Sequence, residues 1–403
     1  MLWAALVSAD VALNLTESGR ALLLRRAVDL TCRLWRSGLR SIDMSSAQGR
    51  HDEMANSPRA QGRDLTRLSI HRAIWYLAPP MILEMGVQNL AQILDTYWIG
   101  QLGSAALAAV TISITIRWVL NSLANGLGIG GMAVVARRIG AKDPAAAEHA
   151  VWQTILLGVT ISLILSVTGM ILARPLLVLL GADAEVLPLG LAYLRISFAG
   201  IFTLILVFAI NAMLRGAGEA GMAMRVLFLT TGVTVVLEPI LVRGWGPLPA
   251  LGVAGSALAF VLGFGAGLAL QLGILLSGRA RIRIDLHSLR PDLPLMGRII
   301  RISLPSTIQM TLRSSSRLII VALVGAFGTY ATAGYGVANR MLLIALIPCF
   351  GMGNSAGTLV GQNLGARQPG RAGWLVTGIR QTGGKGAHGG WVSMRLAIWQ
   401  WQR

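Results

Sequence analysis

Eight predominantly apolar blocks, at about residues 73–99, 105–127, 151–173, 188–213, 224–242, 252–276, 299–326 and 333–360, leave this chain few folding options. Coiled as an α-helix, each is long enough to cross the roughly 30 Å hydrocarbon layer of a bilayer. A segment surrounded by hydrocarbon has to satisfy every backbone N–H and C=O within itself, and a helix does so. Composition points the same way: 54% of residues are hydrophobic and only 13% charged, about half the charged share of a soluble domain. The chain reads as an all-α membrane protein.

The net charge of +18 would suit a nucleic-acid partner, but the arginines fall mainly between apolar blocks and in the two terminal regions, where they act as topology signals. Nucleic-acid binding is therefore not expected, and the lipid bilayer is. Arg137, Arg138 and Lys142 follow the second block, Arg215 the fourth, and Arg279, Arg281, Arg283, Arg290 and Arg298 the sixth, whereas the connections after the first and seventh carry no charge. Basic loops stay inside, so the N-terminus and the even-numbered loops are expected in the cytoplasm of a protein in the inner membrane. Cys32 and Cys349 are too few for a disulfide framework or a Cys-rich zinc site, and the five histidines show no HExxH spacing. No nucleophile or acid–base constellation marks an enzyme. The opening MLWAALVSADVALNL lacks a basic n-region and is interrupted by Asp10, a poor signal peptide. Residues 1–72 read as a basic extension, with Met44 or Met54 as alternative starts.

An internal repeat organises the rest. Shifting the sequence by 225 residues brings Pro80 onto Pro305, Met85 onto Met310, Gly100 onto Gly325, Gly103 onto Gly328 and Ala108 onto Ala333. Val135 then meets Val360, Gly140 and Ala141 meet Gly365 and Ala366, Pro144 meets Pro369 and Ala147 meets Ala372. Six blocks lie within one period, an even number, so the two copies run in parallel topology. Residues 73–291 form a first lobe of six spans and 292–373 the first two spans of a second. Beyond Ala372 the register is lost, and the Gly-, Arg- and Trp-rich stretch 374–403 has the character of out-of-frame translation.

Carboxylates within a membrane are costly and mark function. Three qualify: Glu84, Asp95 and Glu238. Glu84, Gln88, Gln92 and Asp95 are spaced 4, 4 and 3 apart, which places them on one face of a helix, a candidate substrate pathway or a set of interhelical hydrogen bonds. Arg117 is a candidate ion-pair partner for Glu84. Thr234 and Glu238 stand at i and i+4, and Pro239 frees the Val235 carbonyl, so hydroxyl, carboxylate and carbonyl form a set of hard oxygen ligands for sodium or a proton relay, with Ser256 as one more. A kinked helix is the structural alternative. Arg117, Arg195, Arg313, Arg317 and Arg340 lie in or near spans; snorkelling or ion pairing accounts for them, with an anionic substrate pocket as the sharper alternative. Gly126, Gly128 and Gly131 spell GxGxxG, but no strand precedes them, so they read as helix packing and not as a dinucleotide site.

Five segments, LDTYWIGQLGSAALAAV (94–110), VVARRIGAKDPAAAEHA (134–150), LRGAGEA (214–220), VLEPIL (236–241) and LVGQNLGARQPGRA (359–372), resemble in order the multidrug and toxic-compound extrusion (MATE) family, in its DinF-like prokaryotic branch. The resemblance implies a two-lobe helical bundle, no cofactor, and antiport of a cation, H⁺ or Na⁺, against small organic, cationic or amphipathic compounds, by a monomer using alternating access. It places Asp95 at the family's coupling aspartate, and Thr234, Glu238 and Ser256 at its neighbouring ligand positions. The family's pair on the fifth helix is Asn and Asp; Thr234 and Glu238 here lose the amide, which favours protons over sodium. Flipping of lipid-linked precursors, and a fragment that does not transport, are the competing readings.

Overall fold

The computed structural model describes residues 70–244, 249–278, 280–282, 291–325, 335, 338, 351 and 353–373. Among them there is no strand. Eight helices follow in order: α1 (Ile70–Gly100), α2 (Ser104–Gly140), α3 (Pro144–Leu179), α4 (Val186–Ala199), α5 (Ile201–Gly216), α6 (Ala220–Arg243), α7 (Val253–Leu276) and α8 (Leu293–Gly325), with residues 353–365 helical beyond them. Four of these, α2, α3, α6 and α7, are long and apolar enough to cross a membrane, and the α4–α5 pair makes five if its two bent halves form one span. Polar side chains lower the hydropathy of α1 and α8.

The sequence reading of one straight span at 188–213 gives way to two helices bent by 50° at Gly200. Any Cβ there would strike the side chain of Val261 on α7, and the Thr203 hydroxyl donates to the Gly200 carbonyl at 2.7 Å. The break thus lets the chain pass close to α7. The second block also extends well past its apolar limit at 127, because the helix continues to Gly140. Arg137 and Arg138 in its last turn complement the negative end of the helix dipole. α3 begins with Asp143 accepting from the Ala146 N–H at 3.0 Å and with Pro144 in its first turn, where a missing N–H costs nothing.

The outer surface is apolar. Leu163, Ile164, Val167 and Ile171 on α3 are each more than half exposed, a face that water would not tolerate and lipid tails cover. Between helices the contacts are made by small residues, as close packing in a membrane requires. Gly128 and Gly131 lie against Ala212 and Thr154, and Gly263 and Gly267 against Thr234 and Thr230. The GxGxxG sequence is therefore a helix-packing surface.

The repeat has a three-dimensional counterpart. A Cβ on Gly140 would collide with the backbone of Gln362, and one on Gly365 with the backbone of Arg137. Both glycines and both partners are one 225-residue period apart, so the contact is reciprocal, as a pseudo-two-fold axis demands. The same exchange relates Gly126 against Thr307 to Gly351 against Ile82, and Met132 meets its own repeat mate Gly357. Even the turn is copied: Lys142 and Arg367, the two non-glycine residues with positive φ among the described residues, are one period apart, at φ 59° and 57°. In the first copy Asp143 N–H donates to the Arg138 carbonyl at 3.1 Å, and in the second Gln368 N–H donates to the Asn363 carbonyl at 2.9 Å, a 6→1 closure of a helix end with proline following.

α8 packs mainly along α2, and α1 along α6. At the start of α8, Asp292 accepts from the Leu295 N–H at 3.0 Å, meets His149 of α3 at 3.3 Å, and donates its own N–H to Gln153 at 3.1 Å. Hydrogen bonding from Leu295 and then His149 holds the Asp292 carboxyl below the ordinary range. Residues 1–69, the bulk of the eighth block and the 374–403 stretch lie outside the described residues.

Candidate functional site

Within the first lobe, side chains from five helices converge. Asp95, half-buried on α1, accepts a hydrogen bond from the Ser256 hydroxyl of α7 at 3.0 Å. Glu238 on α6 is 2% exposed and within side-chain hydrogen-bonding reach of Asp95. Its Oε1 has no partner among the described residues. α6 runs unbroken through Pro239, so the proline shapes the ladder without ending the helix. Thr234, one turn before Glu238, turns its hydroxyl to the Thr230 carbonyl at 2.8 Å and lies against Gly263.

Two further residues complete the cluster. Tyr193 of α4 is fully buried, its hydroxyl unpartnered, in electrostatic range of Asp95, Glu238 and Arg117. Sequence reasoning passed over it. The available signal was a phenol in an apolar span, since a buried tyrosine hydroxyl needs a partner. Arg117 of α2 is not the partner of Glu84: its guanidinium lies 4.4 Å from the Phe260 ring centroid and 5.9 Å from that of Tyr193. Glu84, 7% exposed, pairs instead with Arg215 at the end of α5, at 2.7 Å. The reason is geometric, because α1 packs against α6, and the end of α5 that leads into α6 carries Arg215, while Arg117 points toward α4 and α7.

Of the other α1 residues, Gln88 is half-buried and Gln92 exposed, and neither reaches the Asp95 cluster through a described hydrogen bond. At the end of α1, Trp98 carries the guanidinium of Arg243 from the end of α6, 4.8 Å from its ring centroid. Gln271 of α7 donates to the Asn211 side chain at 3.0 Å and to the Val207 carbonyl at 3.1 Å, fully buried. Arg195 is exposed, and the side chains of Arg313, Arg317 and Arg340 lie outside the described residues. No group of three or more His, Cys, Asp or Glu side chains able to hold a metal occurs among the described residues.

Two carboxyls meeting inside a bundle of apolar helices, with a sequence repeat whose copies pack about a pseudo-two-fold axis, define a multi-pass membrane protein built from repeated lobes. The MatE family profile matches residues 80–240 and again 305–377, and the chain belongs to that family. The two matches begin at Pro80 and Pro305, the pair that anchors the repeat. Among curated proteins, the chain is 27% identical over 304 residues to the "Probable multidrug resistance protein YoeA" of Bacillus subtilis, covering 74% of this chain and 66% of that one. It is 29% identical over 304 residues to the FAD transporter of Shewanella oneidensis, covering 72% and 66%. The chain thus spans about two thirds of the length of these relatives. Among solved structures, a MOP superfamily transporter from Pyrococcus furiosus superposes with a TM-score of 0.74 at 27% identity, covering 81% of this chain and 71% of that one. An outward-facing multidrug resistance MATE family transporter gives 0.73 at 27%, covering 81% and 71%.

Proposed function

We propose that the protein exports small organic compounds, cationic or amphipathic, across the cytoplasmic membrane in exchange for a cation, by alternating access. The observation that carries this reading is the meeting of Asp95, Glu238 and Ser256 in the first lobe, where a buried carboxyl oxygen is left without a partner. Two carboxyls side by side in a low dielectric cannot both remain charged without compensation. They hold one positive charge between them, as a shared proton or as sodium. Thr234 lacks the amide carbonyl that an asparagine would offer sodium, and its hydroxyl is turned to the Thr230 carbonyl, so we favour the proton. Filling the site and emptying it biases the lobe between states of different substrate affinity, which is the energetic requirement for coupling.

In this reading the chain is a monomer with its N-terminus in the cytoplasm, and needs no cofactor. Asp95→Asn keeps size and hydrogen bonding but removes the charge. In proteoliposomes it is expected to abolish substrate-driven cation movement while leaving the fold intact by circular dichroism. Undiminished exchange in that variant would refute the role of the pair. Similarity to an FAD transporter gives a second reading, transport of a larger anion; flavin measured in the medium of expressing cells separates the two.

A further inference from the structure

Arg117 is a cation that the carboxyl pair does not consume. Its side chain is half-buried beside Glu238 and Tyr193, yet no carboxylate lies within ion-pair distance of it among the described residues. The faces of Phe260 and Tyr193 hold it instead. That mode of attachment has a consequence. A guanidinium in a salt bridge would occupy the carboxylate oxygens. One clamped by ring quadrupoles stays in place while leaving them free, and Glu238 Oε1 is indeed buried and unpartnered. Arginine does not lose its proton in a protein, so its charge is permanent. With both carboxyls ionised the cluster of Asp95, Glu238 and Arg117 has a net charge of one negative unit, where the carboxyls alone would give two.

We propose that Arg117 is a fixed countercharge that sets the specificity of this site for compounds carrying a single positive charge. A monocation neutralises the cluster; a dication leaves it with an uncompensated positive charge in a low dielectric, where that is costly. Phe260 lies against Phe264 with ring centroids 4.3 Å apart, and Phe264 against Phe208 at 5.9 Å, so rings of low polarity wall the charged cluster and keep its dielectric low. The inference rests on the export reading above, in that the site must take organic cations at all.

The test compares two dyes that share one aromatic scaffold, ethidium with one positive charge and propidium with two, binding to the full chain in nanodiscs of uncharged lipid. Wild type is expected to bind ethidium more tightly than propidium. Arg117→Gln removes one unit of charge and is expected to shift the ratio of dissociation constants about tenfold toward propidium. Arg117→Lys keeps the charge and is expected to keep the wild-type ratio, which separates charge from packing. An unchanged ratio in Arg117→Gln, or the same change in both variants, overturns the inference and leaves the export reading standing. Failure of wild type to bind either dye removes the export reading, and the inference with it.

Discussion

Glu84→Gln leaves the Arg215 guanidinium in a place built for an ion pair. The two groups are 7% and 13% exposed and 2.7 Å apart, a charge-assisted hydrogen bond that ties α1 to the end of α5. At the effective dielectric of a partly buried pair, opposite charges 4 Å apart attract by about 4 kcal/mol. Removing one partner forfeits that attraction and strands the other charge, for a loss of about 3–5 kcal/mol. Removing both, as in Glu84→Gln with Arg215→Met, deletes the stranded charge along with the bond, and the double variant is expected to lie within about 1 kcal/mol of wild type. The coupling energy of the cycle, read from unfolding in mixed micelles at neutral pH, is then several kcal/mol and of opposite sign to the single losses. Additive single and double effects, or single losses below about 0.5 kcal/mol, would show that the pair does not hold α1. The same four proteins address the alternative role of Glu84 as part of a substrate pathway. If its task is to anchor α1, the double variant keeps transport; if it touches substrate, transport stays lost while stability returns.

The crossing at the pseudo-two-fold axis has no room for a side chain, so Gly140→Val is expected to cost about 1–3 kcal/mol by overpacking, and Gly365→Val the same. Because both report on one contact, the pair should be non-additive in thermal unfolding, and additivity would deny the reciprocal contact. Glu219, at the turn before α6, accepts from the Arg281 N–H at 2.7 Å while its other oxygen is buried without a partner. Burial raises its pKa above the ordinary carboxyl value. A raised acid favours the folded state most when protonated, so its contribution is full below the unfolded value of about 4.3 and disappears as pH rises through the folded one. Glu219→Gln should flatten the fall in stability over that window, and an unaltered pH profile would assign the slope to other groups.

Much of this was legible in the sequence for a physical reason. In a bilayer the backbone has one local solution, so length and hydropathy locate helices directly, and a period of 225 residues fixes which of them are equivalent. The pairing of Lys142 with Arg367 at positive φ shows how far the equivalence goes. What stayed hidden depends on rotation about helix axes. Glu84 and Arg117 are both polar residues in apolar spans, and no periodicity decides whether they face one another; only the packing of α1 on α6 directs Glu84 to Arg215. The bend at Gly200 is of the same kind, since the sequence shows a glycine in an apolar run and only the nearness of Val261 makes a side chain impossible there.

Tyr193 follows the same logic one step further. Its hydroxyl is buried without a partner, a cost that an apolar isostere would avoid. A phenylalanine in its place would pack equally well beneath Arg117. Keeping the hydroxyl beside Asp95 and Glu238 makes sense where a proton or cation visits the cluster and the phenol oxygen is one of its hosts. Two of the polar atoms left unpaired in this lobe, Glu238 Oε1 and the Tyr193 hydroxyl, then mark the same space from two helices. A site meant to be filled and emptied in turn must be left partly unsatisfied when empty, because groups already paired with one another would have nothing to gain from the ion.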